Sequence, residues 1–180
     1  MHINKPIINI IKTYINSKMI SFKSRKIKLI AYSIFIILLD QFSKFLVLST
    51  LGFERSKNII PNLLNLSLVK NKGAAFSLFS NFTSILTITS IIASLLLIIV
   101  ILKYPPRSYW NLIGLAYLLG GTVGNGIDRL FKGYVLDFLE LVPINFPIFN
   151  IADISINIAI LYFIIDIIST NKRSKNRLEE

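Results

Sequence analysis

From Phe82 to Leu102 the chain carries no charged residue, and that run constrains the fold more than any other feature. About 20 apolar residues in a helix span the ~30 Å hydrocarbon core of a bilayer. In that medium every backbone polar group must be paired internally, which a helix does by itself. Pro105 and Pro106 follow and stop the helix. Three more apolar runs flank it. Leu29–Leu51 is interrupted by Asp40, Gln41 and Lys44; Tyr109–Ile127 turns glycine-rich from Gly120 to Gly126; Ile151–Ser169 has Asp153 at its start and Asp166 near its end. Four runs predict four membrane helices. The first could be read as a cleaved signal peptide, but it lacks an A-x-A cleavage site and holds a charged cluster, so a retained helix is expected.

Charge sets the expected orientation. Of 180 residues, 20 are Lys or Arg and 9 are Asp or Glu, a net charge of +11. Residues 1–28 hold Lys5, Lys12, Lys18, Lys23, Arg25, Lys26 and Lys28 and no acid. Lys103 and Arg107 mark the turn between the second and third runs, and Lys172, Arg173, Lys175 and Arg177 mark the C-terminus. Basic flanks face the cytoplasm. With four crossings these three segments share that side, and loops 52–81 and 128–150 face outward. The expected organisation is a basic cytoplasmic tail over 1–28, mobile or lying at the interface, then a membrane domain over 29–170 and a charged cytoplasmic tail over 171–180. Leu64, Leu66 and Leu68 alternate with polar residues, predicting a short strand or two in the first outward loop. The basic residues sit beside apolar runs and no basic-aromatic motif accompanies them, so nucleic acid is not the expected partner.

Composition narrows the chemistry. There is no cysteine and one histidine, His2 in the basic tail. Thiol nucleophiles, disulfides, histidine triads and multi-histidine metal sites are thereby excluded. Acid–base work must fall to Asp, Glu, Lys or Tyr, and no metal or other cofactor is expected.

Charged residues in membrane helices are costly, at least ~2.5 kcal/mol near the centre, and so carry a partner or a task. Asp40 and Lys44 are four apart and can pair on one helix face, as a structural ion pair or in contact with substrate. Asn71 to Ser77 reads either as a tight turn re-entering the membrane or as a substrate-binding loop. Gly120, Gly121, Gly124 and Asn125 fit close helix packing. The Gly-rich segment has no strand–turn–helix context for a dinucleotide site. Asp128 and Arg129, adjacent on a helix, point apart and need separate partners. Asp137 is expected in a loop, and Asp153 in the first turn of the fourth helix, where an acid favours the dipole. Both lie at the outer boundary, near Asn125, Arg129 and Asn150. Two carboxyl groups held close and away from bulk water share a proton, so one can act as base while the other acts as acid. Asp166 lies 13 residues beyond Asp153, about 20 Å along a helix, and is expected to serve an interface or a helix pair. On these residues alone a peptidase, a small transporter and an ion-pair-stabilised structural subunit all remain open. The lack of an inverted repeat weighs against transport.

Asp40-Gln41-Phe42-Ser43-Lys44, Asn71 through Phe76, Gly124 through Arg129, Val135 through Phe138 and Phe149 through Asp153 together resemble the lipoprotein signal peptidases, or signal peptidase II, a family of bacterial membrane aspartyl proteases. The blocks fall in the family's order. The resemblance implies an all-α membrane protein of four transmembrane helices with a small extracytoplasmic β-cradle, formed largely from loop 52–81. It implies removal of signal peptides from diacylglyceryl-modified prolipoproteins by a cut just before the lipidated cysteine. Asp137 and Asp153 would be the catalytic pair. Asn71, Gly73, Asn125, Arg129 and Asn150 would line the substrate site, and Asp40, Lys44 and Asp128 would support it. Membrane lipid and globomycin-type inhibitors are the other expected partners, and a monomer in the cytoplasmic membrane is expected. Two departures stand out. Lys72 replaces a small polar residue common in the family, and the basic N-terminal extension is longer than usual.

Overall fold

The computed structural model describes residues 5–53, 55–73, 83–104, 106–144 and 146–179. Helix α1 covers Lys5–Thr50, strands β1 and β2 cover Ser56–Ile60 and Leu64–Asn71, and helices α2 and α3 cover Thr83–Lys103 and Tyr109–Lys132. Strand β3 (Val135–Leu141) and helix α4 (Ile151–Glu179) complete the chain. Residue 28 is not an element boundary: α1 begins at Lys5 and runs through the basic segment. Of Asn71–Ser77, expected as a tight turn or a substrate-binding loop, Ala74 to Ser77 lie outside the described residues.

Among the described residues, Met19–Thr50, Thr83–Lys103 and Ile151–Lys172 are long and apolar enough to cross a membrane. Helix α3, with 24 residues, does not meet the same measure of apolarity. The reason is its position. It packs on α1, α2 and α4, and beside Leu112 and Leu119 most of what it buries is small or polar, Gly120, Gly121, Gly124, Asn125 and Asp128 among them. The apolar side chains of the outer helices remain exposed, as Phe35, Phe42, Leu95 and Ile167 show. That is the inverse of a soluble bundle and fits a lipid solvent. Hydropathy is therefore low in α3 because its small and polar residues face neighbouring helices.

Close approach around α3 depends on missing side chains. A Cβ on Gly120 would meet Ile36 Cβ at 2.7 Å, and one on Gly121 would meet the Ala152 carbonyl oxygen at 2.5 Å. One end of the bundle gathers the basic residues. Arg25 Nη1 donates to the Pro106 carbonyl at 3.1 Å and Lys26 Nζ to that of Leu102 at 2.5 Å. Asp166 accepts a hydrogen bond from Ser108, the N-cap of α3, so it joins α4 to α3.

The sheet has the antiparallel order β1-β2-β3. Two strands come from the first loop, as expected. The third, β3, was expected as a loop around Asp137 and is a strand instead. Its short alternation was masked by apolar residues on both faces. Leu136 and Phe138 pack with Val47 and Leu68, while Val135 and Asp137 face the cleft described below. Gly133 ends α3 with φ 74°, and its N–H donates to the Arg129 carbonyl at 3.1 Å. That left-handed cap lets the chain reverse at once into β3.

Candidate active site

Four elements, β2, β3, α3 and α4, converge on one cleft. Pairing of β2 with β3 sets Asn71 opposite Val135 and Val69 opposite Asp137, so Asn71 and Asp137 are diagonal neighbours on one face. Asn71 Nδ2 donates to Asp137 Oδ2 at 2.7 Å. Asn150 precedes α4 and Asp153 is its third residue. The Asp153 N–H donates to Asn150 Oδ1 at 3.0 Å, and the Asn150 N–H donates to Asp153 Oδ2 at 3.1 Å. That is the reciprocal geometry of a capping box. It starts α4 and fixes the Asp153 rotamer together. The Asn150 side chain also donates to Asp137 Oδ1 at 2.6 Å, so one residue holds both carboxylates. Asn125 Nδ2 donates to the remaining oxygen, Asp153 Oδ1, at 2.8 Å.

The cleft beside them has a volume of about 850 Å³, and Asn71, Gly73, Asn125, Arg129, Asp137 and Asp153 line it. Arg129 Nη2 donates to the Gly73 carbonyl at 3.3 Å and its Nη1 to Ser90 Oγ at 3.3 Å. It thus ties α3 to the end of β2 and to α2. Asp40, Lys44 and Asp128 are 0% exposed and do not line the cleft. Of the two readings of Asp40 and Lys44, the ion pair is what the structure has, at 2.7 Å. Lys44 also pairs with Asp128 at 2.9 Å, and Asp128 with Lys132 at 2.7 Å. Asp128 and Arg129 have separate partners, as their adjacency required. Asp128 Oδ2 accepts from the Leu136 N–H at 3.1 Å, anchoring β3, and Asp40 Oδ1 accepts from the Ala152 N–H at 3.0 Å, anchoring α4.

Sequence reasoning gave no site role to Gln41 or Ser90. Gln41 Nε2 donates to the Gly124 carbonyl at 3.0 Å. Its place beside Asp40 inside an apolar run was the signal for it. Ser90 had no signal, since serines are unremarkable in an uncharged helix. Phe146, Phe149 and Asn157 also line the cleft, and only the fold reveals it.

Asp137 is 2% exposed. Burial, and next the negative charge of Asp153, push its carboxyl up to about 7 from an ordinary 3.8, while the Asn71 and Asn150 hydrogen bonds pull it down. A raised carboxyl binds its proton in the folded state over a range where the unfolded chain has lost it. Stability in detergent is therefore expected to fall as pH rises from about 4 to about 7, and to level beyond. A thermal-midpoint series across that range checks this, and Asp137→Asn should flatten it.

The fold and the sequence match known proteins along most of the chain. A bacterial membrane enzyme solved by the in meso method at 2.3 Å resolution superposes with a TM-score of 0.73 at 30% identity, covering 81% of this chain and 90% of that one. A second, solved by the same method at 1.9 Å resolution, gives 0.69 at 31% identity, covering 78% of this chain and 92% of that one. Fold and site thus define a bacterial membrane enzyme. The family model of signal peptidase (SPase) II matches residues 32–169, a span that contains Asp40 through Asp153. A lipoprotein signal peptidase of Parasynechococcus marenigrum (strain WH8102) is 43% identical over 152 residues, 84% of this chain and 96% of that protein. One from Enterococcus faecalis (strain ATCC 700802 / V583) is 36% identical over 137 residues, 76% and 85% respectively. The chain belongs to the signal peptidase II family, and it is a peptidase.

Proposed function

We propose that this chain removes signal peptides from diacylglyceryl-modified prolipoproteins by aspartic catalysis, cutting just before the lipidated cysteine. The observation that carries the reading is the pair Asp137 and Asp153, bridged by Asn150 on the wall of one cleft, in a chain of this family. Asp137 is the more deeply buried, and burial pushes its carboxyl up to about 7, so it serves as the acid. Asp153 is half-buried and serves as the base.

The Asp153 carboxylate takes a proton from water, and the water oxygen attacks the scissile carbonyl carbon. Asp137 gives its proton to the carbonyl oxygen. The tetrahedral diol collapses as Asp153 returns a proton to the cysteine nitrogen, the C–N bond breaks, and Asp137 recovers a proton from the diol hydroxyl. Both carboxyl groups end as they began. The extended substrate backbone needs polar partners at a membrane boundary, and Arg129, Asn71 and the Gly73 segment supply them. The acyl chains stay in lipid while the bond reaches water.

Helix α3 crosses the membrane with the other three, since its 24 residues reach about 36 Å. The end bearing Arg25, Lys26, Lys103 and Arg107 faces the cytoplasm, and the sheet and cleft face outward. The chain acts as a monomer, and globomycin-type inhibitors occupy the cleft.

The test is purified protein acting on a diacylglyceryl-modified prolipoprotein, with the product mass read. Expected is a new N-terminus at the lipidated cysteine, and a rate that falls as pH rises through about 7 because Asp137 loses its proton. Asn71→Ala removes a hydrogen bond that favours ionised Asp137, so it should move that limb upward. No cleavage under conditions that support a related enzyme, or a cut elsewhere, would overturn the reading.

A further inference from the structure

Lys44 is a buried cation that the chemistry above does not use. An ammonium has three N–H donors, and here each has one acceptor: Asp40 Oδ2 at 2.7 Å, Asp128 Oδ2 at 2.9 Å and Asn125 Oδ1 at 3.1 Å. Two of these contacts balance charge inside the bundle. The third reaches the site.

Asn125 Oδ1 also accepts from Asn150 Nδ2 at 3.0 Å. A side-chain amide has one accepting and one donating end, so what surrounds it decides which way it points. Turned over, Asn125 would aim its NH2 at the Lys44 ammonium and the Asn150 NH2, and its oxygen at the Asp153 carboxylate. Each of those contacts is repulsive. With Lys44 in place, Asn125 Nδ2 stays on Asp153 Oδ1 at 2.8 Å.

We propose that Lys44 is a positioning residue for hydrolysis: through Asn125 it keeps an N–H donor fixed on Asp153. This rests on the reading of Asp153 as the general base. The charged and polar groups around Asp153 come from every neighbouring element. They are Asn125 and Arg129 from α3, Asp137 from β3 and Asn150 at its own helix start, with Lys70, Asn71 and Lys72 of β2 and its end on the same cleft, and Lys44, paired with Asp40 on α1, behind Asn125. Among these, Lys44 reaches Asp153 by a relay of two hydrogen bonds. Asp40 and Asp128 hold the lysine in place, which gives the buried ion cluster a bearing on the rate as well as on the fold.

Lys44→Met alone leaves two buried carboxylates with one cation between them and threatens folding. The test therefore uses Lys44→Met with Asp40→Asn. That pair keeps the cluster neutral, and the new amide oxygen can still accept from the Ala152 N–H. Expected is an inserted protein with kcat lower by at least about tenfold, the weight of one charge-assisted hydrogen bond, and KM little changed. The acid side of its pH–rate profile should move to higher pH. In an Asn125→Ala background the same pair should cost nothing further, because the relay is already cut. A purely structural lysine would lower the thermal midpoint but leave kcat per folded molecule and the pH profile alone, and its losses would add to those of Asn125→Ala. Either result overturns the proposal.

Should the double variant fail to insert, Asn125→Asp decides. It keeps the oxygen that Lys44 and Asn150 bind and removes the N–H aimed at Asp153. A native kcat and pH profile in that variant sinks the relay. Asp153→Asn separates the two readings. If it retains turnover the base assignment itself fails; if it is dead while the lysine variants run at native rate, only the relay fails.

Discussion

Asp137→Asn and Asp153→Asn are each expected to lower prolipoprotein cleavage by about 10⁴-fold or more, as loss of a catalytic group does elsewhere, while both variants insert normally. Asparagine matches aspartate in size, so the cleft keeps its shape. What it lacks differs at the two positions. At 137 the amide has no acidic proton for the carbonyl oxygen, and both oxygens of the native carboxylate accept from amides, Asn150 and Asn71. An NH2 there faces a donor, though removal of one of two repelling charges offsets that strain. At 153 there is no base for the water, but an amide oxygen can still accept from the Asn150 N–H, so the helix start survives. The double variant should be no slower than the worse single one, because a pair that acts as a unit is lost with either member. Rates from product mass, with thermal midpoints in the same detergent, check both statements. A variant that cuts at wild-type rate places the chemistry on other residues.

Gly121→Ala is expected to cost about 1–3 kcal/mol, the usual penalty for overpacking a filled interior, with a larger loss of activity. The added Cβ would lie 2.5 Å from the Ala152 carbonyl oxygen. That atom is backbone and cannot rotate away, so α3 and α4 must separate. Ala152 also donates its N–H to Asp40 and precedes Asp153, so the shift reaches the carboxylate directly. Gly126→Ala is the control. Its Cβ would meet Ser90 Cβ at 3.7 Å, an ordinary contact, and alanine favours a helix over glycine by about 1 kcal/mol. It should be neutral or stabilising. Equal losses at both glycines would show that helix flexibility matters there, and not the contact of α3 with α4. Thermal unfolding of the two variants, with cleavage per folded molecule, distinguishes these.

Much of the fold was legible because lipid imposes simple rules. The uncharged run at Phe82–Leu102 could be little but a membrane helix, and α2 is Thr83–Lys103. The spacing of Asp40 and Lys44 gave their pairing, and the adjacency of Asp128 and Arg129 gave their separation. The alternation at Leu64, Leu66 and Leu68 gave β2. Strand β3 was not legible, since Val135 to Phe138 are buried on both faces and a short apolar run around one acid has no period to read. Helix α3 was expected to cross but is less apolar than its neighbours, because it spends its surface on other helices rather than on lipid.

By itself the sequence determined the solvent, through the length of its uncharged runs, and the chemistry available, through the absence of cysteine and a single histidine. Its ordered blocks pointed to Asn71, Asn125, Arg129, Asp137 and Asp153, which line one cleft. Tertiary structure alone decided how those residues meet. Strand register sets Asn71 beside Asp137, and a helix cap sets Asn150 between both acids. The bare face of α3 lets Asp40 lie against Gly124 while Lys44 closes on Asp128 and Asn125. Burial, which shifts a carboxyl far from its ordinary range, belongs to packed elements together and cannot be assigned to any segment alone.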